Sequence, residues 1–170
     1  LGRLDHGHLR ALVLAQRLGQ GQPELAAADD DDAPPGLAAT MRDVREREGD
    51  LDLSRLREMS DPDVRDYLMT LPGIGPKTAA VVLSFALGRD AMPVDTHVHR
   101  VTKRLGLIPP TASAERADRL LHESIPDGLR TPMHVGFIRL GREICKAPTP
   151  RCRLCPMKDI CPTAPRYLSG

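Results

Sequence analysis

All four cysteines of this chain lie in its last 26 residues, at Cys145, Cys152, Cys155 and Cys161, spaced C-x6-C-x2-C-x5-C. Thiolates packed this closely in sequence suit a soft metal centre better than a disulfide framework. The stretch Lys146-Ala147-Pro148-Thr149-Pro150-Arg151 between the first two is too proline-rich for helix. A loop that wraps a metal centre is expected there instead. Zinc sites mostly set two C-x2-C pairs some distance apart. One such pair flanked by single cysteines suits a single compact, cubane-like site, and zinc stays open on ligand type alone. Four unrelated buried thiols would make the clustering an accident.

The rest of the composition sets limits. A chain of 170 residues can build one good core or two small lobes. Aromatics are only 2%, so the core must come from Leu, Val, Ile, Ala and Met. No apolar run approaches a membrane span, and the first residues lack the order of a signal peptide, so no membrane partner is expected. A cytoplasmic location follows as the expectation, and free thiolates also want a reducing compartment. The formal net charge of +1 conceals an asymmetry: residues 1–70 carry 9 Lys+Arg against 15 Asp+Glu, and residues 71–170 carry 15 against 8. The second part is the candidate for contact with a polyanion. The run Asp29-Asp30-Asp31-Asp32 reads as a solvated loop.

Hydrophobic periodicity predicts an all-α chain without strands. Helices are expected over 4–19 and 38–48, the second ended by Gly49, with a proline-bearing loop over 21–36 and a helical turn over 54–59. Asp61 as N-cap with Pro62 at the first helical position opens a helix to about residue 70. Leu71-Pro72-Gly73-Ile74-Gly75-Pro76 reads as a tight turn with its glycines at positive φ. One helix then runs over 76–87 and stops at Gly88. Another begins at Asp95 or Thr96 and ends near Gly106. Ser113 caps one to about residue 124, with Arg116 an unusual residue at the capping-box position, and a last helix spans 132–144.

The unit over 61–87 has a physical use. Gly73 and Gly75 carry no Cβ, so the backbone can approach a ligand closely. The following helix offers free N–H groups and the positive end of its dipole. Together these suit one phosphate of a nucleic-acid backbone, without sequence preference. Lys77 stands in the first turn of that helix, where the dipole disfavours a cation; burial in a cleft would act in the same direction. A lysine chosen for helix stability alone belongs in the last turn, so its place favours a nucleophilic role. Asp95 reads first as an N-cap, its side chain accepting from the N–H of residue 97 or 98. His97 and His99 at i, i+2 do not share a helix face, which argues against a joint metal site. His134 reads as a packing residue.

Leu71-Pro72-Gly73-Ile74-Gly75-Pro76-Lys77-Thr78-Ala79 resembles the helix-hairpin-helix motif of the endonuclease III family of base-excision DNA glycosylases. Val94-Asp95-Thr96-His97-Val98-His99-Arg100-Val101 resembles the stretch with that family's catalytic aspartate. The cysteine spacing matches its four-iron, four-sulfur (4Fe–4S) cluster loop. The resemblance covers residues 60–162. It implies an all-α, two-lobed protein, with a helical hairpin lobe over 1–90 and a cluster lobe over 91–170, binding damaged double-stranded DNA and, as in bacteria, associated with the nucleoid; the oligomeric state is open, with a monomer as the default expectation.

It further implies Lys77 and Asp95 as catalytic residues and Cys145, Cys152, Cys155 and Cys161 as ligands of a 4Fe–4S cluster. Gly73, Ile74, Gly75, Lys77, Lys146 and Arg151 would contact DNA, and Gln16 would fill the gap left by a flipped base. Relatives that only excise the base typically lack a lysine at this position. Lys77 therefore points to combined glycosylase and apurinic/apyrimidinic (AP) lyase activity, with an oxidised pyrimidine or abasic site as substrate. The first 60 residues depart from the family pattern, since the Asp run and Pro34-Pro35 stand where helices are usual. The alternative functions are a non-catalytic or degenerate DNA-binding protein, a monofunctional mismatch glycosylase and a zinc-binding structural protein.

Overall fold

The computed structural model describes residues 37–49 and 52–168. The helix expected at 4–19, the loop at 21–36 and Gln16 lie outside the described residues. The described residues divide into two compact units, one ending at Pro93 and the other beginning at Val94. They contain helices and no strand, as the periodicity predicts. No described helix is long and apolar enough to cross a membrane.

The first unit begins with α1 (Leu37–Glu48), ended by Gly49 at φ 79°, and a 3-10 turn (Ser54–Arg57). Helix α2 (Asp61–Met69) follows, then α3 (Pro76–Val81), which continues into a π-helical turn (Val82–Ala86). Val64 and Leu68, one turn apart on α2, meet Ala79, Ala80 and Leu83 of the next helical segment, with Leu56, Leu71 and Val44 completing the core. Each fully buried Leu or Val contributes about 1.5–3 kcal/mol.

Two expectations for this unit need correction. Ser60, not Asp61, is the N-cap of α2: it is extended at φ −68°, ψ 157°, and its hydroxyl accepts from the Asp63 N–H. Asp61 is thereby released to pair with Arg89 at 2.5 Å, and that guanidinium also donates to the carbonyls of Leu56 and Arg57. The segment from Pro76 is also not one regular helix. Leu87 N–H bonds to Val82 O at 3.0 Å, a one-residue widening that a repeat of 3.6 cannot reveal. Gly88, at φ 68°, ends the segment as expected.

The second unit holds α4 (Thr96–Arg104), α5 (Ala114–Ser124) and α6 (Arg130–Glu143), then a 3-10 turn (Cys152–Leu154) inside the cysteine loop and a short α7 (Pro165–Leu168). Ser113 caps α5, accepting from Arg116 N–H at 3.2 Å. Val98 and Val101 of α4 and Met133, Phe137 and Leu140 of α6 are fully or almost fully buried. Gly141 brings α4 and α6 together: a Cβ there would come within 3.0 Å of His97 Cβ and 3.3 Å of Val101 Cγ2.

Candidate functional site

The hairpin turn joins α2 to α3. Leu71 and Ile74 pack on the core, and Ile74 N–H closes the turn on Leu71 O at 3.2 Å. Thr40 Oγ1 donates to Pro72 O at 2.6 Å. Gly73 sits at φ 78°, where a side chain would be strained. Gly75 does not share that role: it is extended at φ −102°, ψ −179°, and nothing lies within 4 Å of where its Cβ would be. Gly75 is the N-cap of α3 and Pro76 holds the first position, so no side chain caps this end. The N–H groups of Lys77 and Thr78 are therefore available to an external acceptor. Lys77 is exposed, away from the face that buries Ala79 and Ala80. Burial of this residue, considered from the sequence, is absent within its unit.

Asp95 caps α4, as expected. Its Oδ1 accepts from Val98 N–H at 2.7 Å, which fixes the carboxylate at the helix start, half-buried. His97 Nδ1 lies 3.0 Å from Arg100 Nη2, and His99 Nε2 lies 2.9 Å from Ala112 O. Both rings are held by protein partners. His134 is buried, in agreement with a packing role.

The structure brings all four cysteines to one cavity, walled also by Leu140, Ile144 and Tyr167. All four thiols are free of disulfides. Four soft thiol donors lining one cavity suit a soft metal centre. Burial pushes the Cys152 and Cys155 thiols up, and the neighbouring cysteines add to the effect. A metal centre seated there must displace those protons.

Sequence reasoning missed how the loop is held. Arg104, at the end of α4, donates to Lys146 O at 2.8 Å and Pro148 O at 3.0 Å, and its Nη1 lies 3.4 Å from Cys145 Sγ. Its own carbonyl accepts from Thr163 Oγ1 at 2.7 Å and Cys161 Sγ at 3.2 Å. One residue thus grips the first and the last cysteine of the loop. One turn earlier, Arg100 donates to Cys145 O and Gly141 O, both at 3.0 Å. Basic residues closing a helix normally answer its dipole, so only their spacing from Asp95 could have drawn notice. Lys146 and Arg151 are exposed on the loop, where a polyanion can reach them.

Residues 63–85 match the family model of the helix-hairpin-helix motif. Over 100 residues the chain is 44% identical to endonuclease III of Bacillus subtilis, covering 59% of this chain and 46% of that protein. The chain spans about half the length of the curated relatives it matches. Among solved structures it is similar to a trapped endonuclease III–DNA covalent intermediate, at 35% identity and TM-score 0.63, covering 76% of this chain and 57% of the other. It is also similar to endonuclease III in a non-covalent DNA complex, at 31% identity and TM-score 0.59, covering 78% and 69%.

Proposed function

This chain belongs to the endonuclease III family, and we propose on that premise that it is a base-excision DNA glycosylase with AP lyase activity. The observation that carries the reading is Lys77, an exposed amine in the first turn after the Gly73–Gly75 hairpin. One of the similar structures is itself a trapped covalent intermediate between endonuclease III and DNA, which supports an enzyme nucleophile here. The substrate class is double-stranded DNA with an oxidised pyrimidine or an abasic site.

The uncapped N–H groups of Lys77 and Thr78 donate to a backbone phosphate, and Gly73, Ile74 and Gly75 let the strand come close. Lys146 and Arg151 supply further phosphate contacts. The damaged nucleotide is flipped out of the duplex, and Gln16 fills the gap. The Lys77 amine attacks C1′, the C1′–N bond breaks, and the base leaves with a proton. The carboxylate of Asp95, fixed by Val98 N–H, stabilises positive charge on the sugar. The Schiff base between Lys77 and C1′ acidifies the C2′ proton. Its removal expels the 3′ phosphate, cutting the strand by β-elimination.

Cys145, Cys152, Cys155 and Cys161 would hold a 4Fe–4S cluster, supported by their sharing one cavity. When bound, the cluster supplies fold to a proline-rich loop with little core of its own. The test is borohydride trapping on a duplex with an abasic site. Wild-type protein gives a covalent adduct and Lys77→Ala gives none. An adduct from Lys77→Ala refutes the nucleophile, and no adduct from iron-loaded wild type leaves a DNA-binding module in its place.

A further inference from the structure

The cysteine cavity is one of two adjacent hollows. An open groove runs beside it, bordered by Lys103, Pro109, Pro110 and Arg166. Arg104, Thr163 and Tyr167 line both hollows and so stand where the two meet. Arg104 is anchored by the loop carbonyls, and Thr163 is tied to it at 2.7 Å. Tyr167 is the one aromatic residue of the three. Its ring lies with the Arg104 guanidinium 5.7 Å from its centroid, an attractive cation–π arrangement. Short helix α7 holds it there, with Tyr167 N–H on Ala164 O at 2.9 Å and Ala164 itself buried. Tyr167 is 36% exposed, so its outer side meets the groove.

The four cysteines are themselves only half-buried, and we propose that Tyr167 screens them on one side, slowing the passage of dissolved oxidants from the groove to a metal centre held there. The inference rests on the cluster reading above. It assigns a task to a residue outside the three recognised motifs. The potential of an iron–sulfur centre depends on its solvent exposure, so a ring covering one side of it affects how readily a reagent in the groove oxidises it. Lys103, Arg104 and Arg166 make the groove positive, which concentrates anions beside that ring.

The experiment uses the whole chain as purified, with its cluster, in Tyr167→Ala, Tyr167→Phe and wild-type forms. Bleaching of the visible absorption is timed with ferricyanide and, separately, with tris(1,10-phenanthroline)cobalt(III), a cation of similar oxidising strength. Each reagent takes one electron from the cluster and becomes ferrocyanide or tris(1,10-phenanthroline)cobalt(II). Tyr167→Ala is expected to bleach several-fold faster with the anionic reagent and to gain less with the cationic one. Tyr167→Phe keeps the ring and should match wild type.

Equal rates for Tyr167→Ala and wild type overturn the barrier. Equal acceleration by both reagents overturns the groove as the route. If Tyr167→Ala purifies without iron while Tyr167→Phe stays loaded, the ring is a packing element of the loop and the barrier is overturned; loss from both overturns it too. A wild-type protein with neither iron nor visible absorption removes the cluster reading, and the barrier with it, before any variant is compared. A loaded wild type with an insensitive Tyr167→Ala removes the barrier alone.

Discussion

The hairpin turn at residues 71–75 and the cysteine loop at 145–161 are both connections rich in Pro or Gly, and the proposed function sets both against DNA phosphates. They are held in different ways. The hairpin is fastened mainly by its neighbours: Leu71 and Ile74 sit on the core, and the turn bonds close within a few residues. In the loop only Pro150 and Met157 are buried between Lys146 and Ile160. Its carbonyls are gripped by Arg100 and Arg104, more than 40 positions back in the chain. A turn built on local contacts folds with its helices. A loop built on distant arginines and metal ligands stays conditional on both.

Metal removal is the largest test of that contrast. Chelating the iron under mild oxidation should abolish hydrogen-exchange protection across 145–161 while amides over 61–83 keep theirs. Binding to an abasic-site duplex should fall with the loop. Parallel loss of protection at the hairpin would show that the two regions share one folding unit and end the comparison. Reloading should become less efficient as pH falls, because burial raises the Cys152 and Cys155 thiols above their ordinary value and metal must displace their protons.

A smaller effect is expected from Arg104→Met, which keeps an unbranched apolar stem and removes the donors. Lys146 O, Pro148 O and the Cys145 sulfur lose a charged partner, but water can reach the exposed loop. The cost should be about 2 kcal/mol, or roughly 4–8 °C in the melting temperature of the loaded protein. A shift under about 1 °C would mean that the metal alone holds the loop, against the energy that such charged bonds usually carry.

The same contrast explains what could be read from the sequence. The hairpin, the Asp95 and Ser113 caps and the cysteine set depend on residue type at short spacing, and each is where the sequence placed it. The N-cap of α2 slipped by one residue because Ser60 and Asp61 are both good caps, and only the pairing of Asp61 with Arg89, 28 positions on, separates them. The π turn at 82–86 leaves no mark in composition. Nothing local marks Arg104 or Tyr167: Arg104 matters through loop carbonyls more than 40 positions on, and Tyr167 through its ring against Arg104.

The smallest expected effect belongs to the hairpin unit and needs acid. Glu48, at the end of α1, accepts from Arg55 Nε and Nη2 and from Tyr67 Oη, all at 2.6 Å. Arg55 also lies over the Tyr67 ring, 4.5 Å from its centroid. The bond from Arg55, then that from Tyr67, lowers the carboxyl from its ordinary 4.5 to about 2. A depressed carboxyl gives stability that is complete above the unfolded value and disappears as pH falls through the folded one. The loss therefore belongs between pH 4.5 and about 2. Acid also protonates cysteine ligands, so a global melt would mix the two regions. Hydrogen exchange over 61–83 separates them: protection should decline through that window in wild type and stay flatter in Glu48→Gln. The decline should be modest, because the Arg55 side chain is 48% exposed and water weakens the pair. If Glu48→Gln declines as steeply as wild type, the hairpin owes its acid sensitivity to some other carboxylate, and the Glu48 network serves packing alone.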